Sequence, residues 1–349
     1  MDQAVHAQRR QRLMERMEGG VAILPNASVA IRNRDVEYPF RPNSDFYYLT
    51  GFSEPDAVAV LAPDHPDHPY LLFVPPRDPD KEVWTGLRAG VEGAKRDYGA
   101  DEAHPLDQLD AVMPDLLADR ERLFVHFGRE RGFDEKVTGW LNATRARERQ
   151  GVRAPEILVD VEDMIHEIRL IKGPEELERM REAARITCAA HRRAREVTRP
   201  GMHEYQVQAE MEYLFRTEGA WGPAYPSIVA GGANACILHY TENRAPLRDG
   251  DLLLIDAGCE VEGYAADVTR TFPVGEAPSG EQREVWNIVH EAQAAAIDEV
   301  RAGRSFDDYH QAALRVLVRG MVDLGLLEGE VDGLIENGDH RRFFMHRTG

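Results

Sequence analysis

Two aspartates eleven positions apart, Asp256 and Asp267, stand in the segment LLLIDAGCEVEGYAADVTRTFPV (252–274). Alternation along the first run puts Leu252, Leu254 and Asp256 on one face, and Leu253, Ile255 and Ala257 on the other. Along the second run Ala265, Asp267, Thr269 and Thr271 share a face, and Gly258, Glu260, Glu262 and Gly263 fill the turn between. Antiparallel pairing across that turn brings both carboxylates to one face of a largely apolar sheet. Like charges repel there, and burying either alone is costly. One or two divalent cations remove the conflict. Oxygen ligands suit Mn2+ or Mg2+, and with imidazoles added, Zn2+, Co2+ or Fe2+. Two ions ~3.5–4 Å apart can polarise a carbonyl and activate a bridging water. The plain alternative is a pair of solvated, turn-flanking aspartates. Four aliphatic residues directly before Asp256 argue against it.

Two histidines add to the set. His239 stands in ILHYTENR, after Gly231-Gly232, and His346 follows Phe343-Phe344-Met345. Each can hydrogen-bond a substrate or intermediate, or sit half-buried on a backbone carbonyl, and the sequence leaves both open. His65, His68, His104 and His340 fall in polar loops and are expected to be solvated. Gly-x-Ser-x-Gly, P-loop and Gly-x-Gly-x-x-Gly patterns are missing, so serine-hydrolase and nucleotide-binding readings have no support.

The elements that must position these residues follow from periodicity. Residues 3–17 read as a helix with a thin apolar face of Val5, Leu13, Met14 and Met17. Strands are expected at 21–25, 57–62, 70–75 and 122–127, and helices at 106–117 and 133–147. RPNSDFYYLTGF (41–52) reads as irregular, with turn chemistry at Pro42-Asn43-Ser44-Asp45. Strands alternating with helices predict an α/β domain over 1–155 with a partly parallel sheet. A linker with a short helical piece is expected over 156–173, and a second domain over 174–349. Pro174, Glu175 and Glu176 open a helix to about 197, because Pro suits the first turn and acids the positive end of the dipole. A second helix is expected from about 203 to 218. Strand-like pieces follow at 227–232, 235–240 and 252–274. Helices at 281–300 and 306–324, the latter N-capped by Ser305, and a strand starting at 343–346 repeat the order, which predicts an internal duplication.

Bulk properties narrow the class. A length of 349 residues suits two domains. A net charge of −19 argues against nucleic acid and anionic membranes as partners. Cys188, Cys236 and Cys259 form an odd set without zinc-type spacing, which fits reduced thiols and a cytoplasmic location. The N-terminus lacks an apolar signal region, and no window approaches the ~18–20 apolar residues of a membrane span.

With these residues assembled, the chain resembles the aminopeptidase P (Xaa-Pro aminopeptidase) family. The similarity runs through RPNSDFYYLTGFSEPDAVAVLAP (41–63), EIRLIKGPEELERMREAARIT (167–187) and, most specifically, ILHYTENRAPLRDGDLLLIDAGCEVEGYAADVTRTFPV (237–274). The resemblance implies an α/β N-terminal domain and an α+β pita-bread (creatinase/aminopeptidase-like) C-terminal domain with an internal pseudo-twofold. It implies a site for two divalent cations, usually Mn2+, and release of the N-terminal residue that precedes proline. Asp256 and Asp267 would be metal ligands, His239 and His346 catalytic imidazoles, and His239 and Tyr240 substrate contacts. Trp84, in EVWTGLR, would reach a neighbouring subunit's site in a homo-oligomer, a dimer or tetramer; ordinary packing is its other reading. The family completes its site with a histidine four positions beyond the match to His346 and two later glutamates, and the sequence given stops at Gly349. On that pattern the pita-bread domain is incomplete, and the 349-residue chain alone is expected to be poorly stable or inactive. A prolidase-type dipeptidase and an inactive pita-bread protein that binds peptides or a partner are the alternatives.

Overall fold

The computed structural model describes residues 1–275 and 277–348. The chain divides into two compact units: 1–182 with 261–264, and 183–260 with 265–349.

The first unit is built on a six-stranded sheet. Its strands are β1 (Val21–Pro25), β4 (Val58–Leu61), β5 (Tyr70–Val74), β6 (Glu102–Pro105), β7 (Arg122–Val125) and β8 (Ile157–Val159), in the order β6-β5-β4-β1-β7-β8. β4 runs antiparallel to both neighbours, and the other pairings are parallel. β4 and β5 are buried at every position, because helices cover both faces. Alternate residues feed two cores. Ala22, Leu24, Ala59, Leu61 and Leu72 pack on one side, and Val21, Ile23, Val60, Leu71 and Phe73 on the other. A small hairpin, β2 (Ile31–Asn33) and β3 (Val36–Glu37), stands apart.

The helices of this unit are α1 (Gln3–Arg16), α2 (Ser44–Thr50), α3 (Pro79–Thr85), α4 (Gly90–Tyr98), α5 (Leu109–Leu116), α6 (Arg131–Arg145) and α7 (Glu162–Leu170). The strands expected at 21–25, 57–62, 70–75 and 122–127 and the helices expected at 3–17, 106–117 and 133–147 are present with small end shifts. α3, α4, β6 and β8 were not expected; each is short. The segment 41–52 is not irregular. Asn43 Oδ1 accepts from Asp45 N and Phe46 N at 3.0 Å each, a cap that starts α2.

The far end of α2 explains a second surprise. The buried face of α1 carries His6, Arg9 and Arg10 beside Leu13. His6 Nδ1 lies 3.0 Å from Tyr48 O, Arg9 Nη1 donates to Tyr48 O at 3.1 Å and Arg10 Nη1 to Leu49 O at 2.8 Å. These are carbonyls of the last turn of α2, which lack intrahelical partners and form the negative end of its dipole. A buried basic stripe therefore runs beside the expected apolar one, of which Leu13 and Met17 are in the core and Met14 packs against it.

α8 (Pro174–Val197) leads into the second unit, followed by α9 (Glu204–Thr217), β9 (Gly222–Pro223) and β10 (Ile228–Gly231). The 252–274 segment is not one plain hairpin. It forms β11 (Leu252–Asp256), β12 (Cys259–Val261), β13 (Tyr264–Ala265) and β14 (Thr269–Pro273), shared between two three-stranded sheets, β10-β11-β14 and β13-β12-β9. α10 (Gly280–Glu299) and α11 (Phe306–Asp323) repeat the helix pair, both with capping boxes. α12 (Val331–Asn337) comes next, so among the described residues the second helix pair has no strands after it.

Three local expectations are corrected. Residues 235–240 are not a strand: a 3-10 turn covers Gly232–Cys236, and Ile237 N donates back to Asn234 O at 3.0 Å. Residues 343–346 are not a strand either. The amides of Phe343 and Phe344 both donate to His340 O, and Phe344 packs against the Leu314, Val318 and Leu334 cluster. His340 is buried rather than solvated.

Candidate metal centre

β11 ends on Asp256, which pairs with Thr269 of β14 on one side and Ile228 of β10 on the other. Leu253 and Ile255 are fully buried, so the opposite face, with Leu254 and Asp256, is left for a ligand. After Asp256 the chain must cross the segment that carries Asp267. A Cβ at Gly258 would stand 1.7 Å from Ala266 O, so only glycine permits the crossing. Ala257 N donates to Val268 O at 3.2 Å and Ala266 N to Cys259 O at 2.9 Å, which ties the two segments at that point.

The aspartates meet on one hydroxyl. Tyr225 donates to Asp256 Oδ1 at 2.6 Å and stands 3.1 Å from Asp267 Oδ1. Burial, then its hydrogen bond to Asp256 and the charges of both acids, push the Tyr225 pKa far up, so it keeps its proton. Both acids, Tyr225, His239 and His346 line one cavity of ≈ 630 Å³ with Ile228 and Leu254. His239 and His346 are exposed, with ring centroids 6.5 Å apart in an edge arrangement. His346 Nδ1 lies 2.7 Å from Arg347 O.

The loop that carries His239 is held by a buried carboxylate. Glu204, at the start of α9, accepts from Gly231 N (2.8 Å), Asn234 Nδ2 (3.0 Å), Tyr240 OH (2.8 Å) and Ala245 N (2.8 Å). The Tyr240 side chain is thus buried on Glu204 and is not among the residues lining the cavity. Asn243 adds a brace: its Oδ1 accepts from Val229 N at 2.9 Å and its Nδ2 donates to Ser227 O at 2.8 Å. Trp84 stands on α3 of the first unit, 87% exposed.

The donor set fits a divalent cation. One phenolic proton cannot offset two carboxylates, and oxygen donors with imidazoles nearby suit such an ion. A second gathering of metal-type donors, His126, Asp160 and Glu162, lies in the first unit. Arg129 already pairs with Glu162, and His126 Nδ1 is 3.3 Å from Asp160 Oδ1, so its charges are met without a metal. The first unit also holds a larger cleft, ≈ 1000 Å³, without a comparable convergence of acids on one atom. The chemistry therefore belongs in the smaller cavity.

Sequence reasoning missed Tyr225, Glu204 and Asn243. Each acts through partners distant in the chain, and no local pattern marks them.

Residues 178–349 match the model of metallopeptidase family M24, and residues 6–126 match that of the aminopeptidase P N-terminal domain. The chain is 43% identical to the Xaa-Pro aminopeptidase of Escherichia coli over 340 residues, spanning 97% of this chain and 77% of that protein. It is 41% identical to the Haemophilus influenzae Xaa-Pro aminopeptidase over 343 residues, 98% of this chain and 77% of the other. The fold is similar to the Pseudomonas aeruginosa aminopeptidase PepP, with TM-score 0.97 and 48% identity over 99% of this chain and 79% of that one. It is similar as well to an E. coli aminopeptidase P variant in complex with substrate, with TM-score 0.95, 42% identity and the same two coverages.

Proposed function

This chain belongs to metallopeptidase family M24 and carries the N-terminal domain of the aminopeptidase P proteins, and we propose on that premise that it releases the N-terminal residue that precedes proline in peptides. It is a hydrolase that uses divalent metal ions, on an α/β domain followed by an α+β pita-bread domain. The domain division we propose is 1–155, a linker over 156–173, and a catalytic domain from 174 on. One observation carries the site assignment: Asp256 and Asp267 converge on the Tyr225 hydroxyl in a cavity that His239 and His346 also line.

Asp256 and Asp267 would hold two divalent ions, and we propose Mn2+ as the native metal. When bound, such ions polarise a carbonyl and lower the pKa of a water. The chain's own residues do the rest. Tyr225, held protonated by burial and the two acids, orients both carboxylates. His239 and His346 stand at the cavity rim, where their N–H groups can donate to the peptide carbonyl or to the oxyanion formed from it. Ile228 and Leu254 give the cavity an apolar wall that limits water around the reacting bond.

Val83 and Trp84 on α3 and the following Leu87 are each more than 80% exposed. That apolar set supports the reading in which Trp84 meets a second copy of the chain and reaches its substrate, in a dimer or tetramer. Reduced cysteines support a cytoplasmic location. Among the described residues no helix is long and apolar enough to cross a membrane.

The test is turnover of an Xaa-Pro tripeptide with added Mn2+ by intact, active protein. Asp256→Ala should lower it by about 10²-fold or more while the far-ultraviolet circular dichroism stays unchanged. Unaltered turnover in that variant would sink the assignment of the site.

A further inference from the structure

The corner that follows Asp256 is held from behind by one face of α8. Ala183, Thr187 and His191 are spaced four apart and share that face. Cys259 N donates to Thr187 Oγ1 at 3.1 Å, and Cys259 Sγ donates to Ala183 O at 3.4 Å. His191 Nε2 lies 3.0 Å from Ala257 O, and Ala257 N in turn donates to Val268 O at 3.2 Å. Ala257 and Val268 are the residues that directly follow the two aspartates. His191 is buried, at 8% exposure, and touches neither carboxylate by a hydrogen bond. Burial, the largest influence, lowers its pKa below the ordinary histidine value, so the ring is neutral at pH 7 and donates through Nε2.

The corner gains little rigidity from its own residues. Gly258 permits the crossing against Ala266 O, and glycine is the residue least able to hold a backbone in place. The two segments are tied to each other by Ala257 N and Val268 O, and His191, bonding Ala257 O from the α8 side, anchors that tie against the helix. We propose that His191 is a positioning residue for the carboxylate pair: by bonding Ala257 O beside Asp256, in the peptide unit next to the one whose amide ties to Val268 beside Asp267, it fixes where Asp256 sits relative to Asp267 and hence how tightly the pair holds a divalent ion. The proposal rests on the reading of Asp256 and Asp267 as metal ligands.

The test measures Mn2+ affinity of the full chain by isothermal titration, with the melting temperature of the metal-free protein read alongside. His191→Phe keeps ring volume and removes the donor, and should weaken Mn2+ binding about tenfold. His191→Gln restores a donor within reach of Ala257 O and should bind within about threefold of the parent. Parent-like affinity in His191→Phe, or His191→Gln no tighter than His191→Phe, overturns the proposal. If His191→Phe does not fold, His191→Gln is compared with His191→Asn, whose shorter side chain cannot reach; equal affinities overturn it as well. Asp256→Asn separates the two readings. If it leaves Mn2+ affinity unchanged, the metal site itself is wrong. If it weakens binding while His191→Phe does not, only the role of His191 fails.

Discussion

The Tyr225 hydroxyl holds Asp256 and Asp267 to one point with a single proton. Removing it leaves two neighbouring carboxylates with one donor fewer and their repulsion unrelieved. Tyr225→Phe should therefore cost about 1–3 kcal/mol of stability in metal-free protein. An ion supplies the missing positive charge, so the cost should shrink when Mn2+ is added. Urea unfolding of parent and variant, with and without Mn2+, reads the difference. A gap that is the same in both conditions contradicts the link between Tyr225 and the ion site.

At the scale of elements, two features build the site. The crossing at Gly258 is the tighter. Gly258→Ala would drive a methyl into a backbone oxygen, so the two aspartate-bearing segments must part. We expect a loss of about 3 kcal/mol in thermal or denaturant unfolding, with Mn2+ binding lost in whatever folds. The other feature is Glu204, which fastens the loop from Gly231 to Ala245 through four donors. Glu204→Ala leaves those donors unmet and should cost about 3–5 kcal/mol. Hydrogen exchange should rise first at the Gly231 and Ala245 amides, and His239 should lose its place at the cavity rim. Protection unchanged at both amides would show that Glu204 does not hold the loop.

At the scale of the molecule, acid should act through the first unit. Burial, and then the charges of Arg9 and Arg10, hold the His6 pKa down to about 4, against the pull of its hydrogen bond to Tyr48. The unfolded chain takes up that proton near pH 6.5, the folded chain only near pH 4. The stability from neutral His6 is therefore complete above pH 6.5 and is lost as the pH falls from there to about 4. The loss is about 3 kcal/mol. His6→Gln keeps a donor for Tyr48 O without titrating. Denaturant unfolding at pH 7 and pH 4.5 should show a smaller drop in the variant; equal drops would exclude His6 as the cause.

Much of this was legible in the chain. Consecutive apolar residues marked β1, β4, β5 and β7, because strands buried on both faces must be apolar at every position. Asp256 stood out because charge is costly beside LLLI, and Asp267 because alternation across the turn can bring it to the same face. α2 was hidden: seven residues give too little periodicity, and its end is satisfied by a helix some forty positions earlier. The strand expected at 235–240 failed for a related reason: the chain turns at Gly232–Cys236, with Ile237 N bonded back to Asn234 O, and the Tyr240 hydroxyl is drawn to Glu204, 36 positions earlier.

The sequence by itself determined the two aspartates, the glycines between them, the helix pairs and the family pattern, because each is written in residue type and short spacing. Only the tertiary structure decided that one tyrosine joins the two acids, that Tyr240 turns inward to Glu204, and that His191 stands behind the corner at Gly258. Those contacts join residues 31 to 66 positions apart. Hydrophobic periodicity reports only which face of an element is buried. Which polar group meets which is set when the elements pack, since a buried donor or acceptor must find its partner wherever the fold brings one.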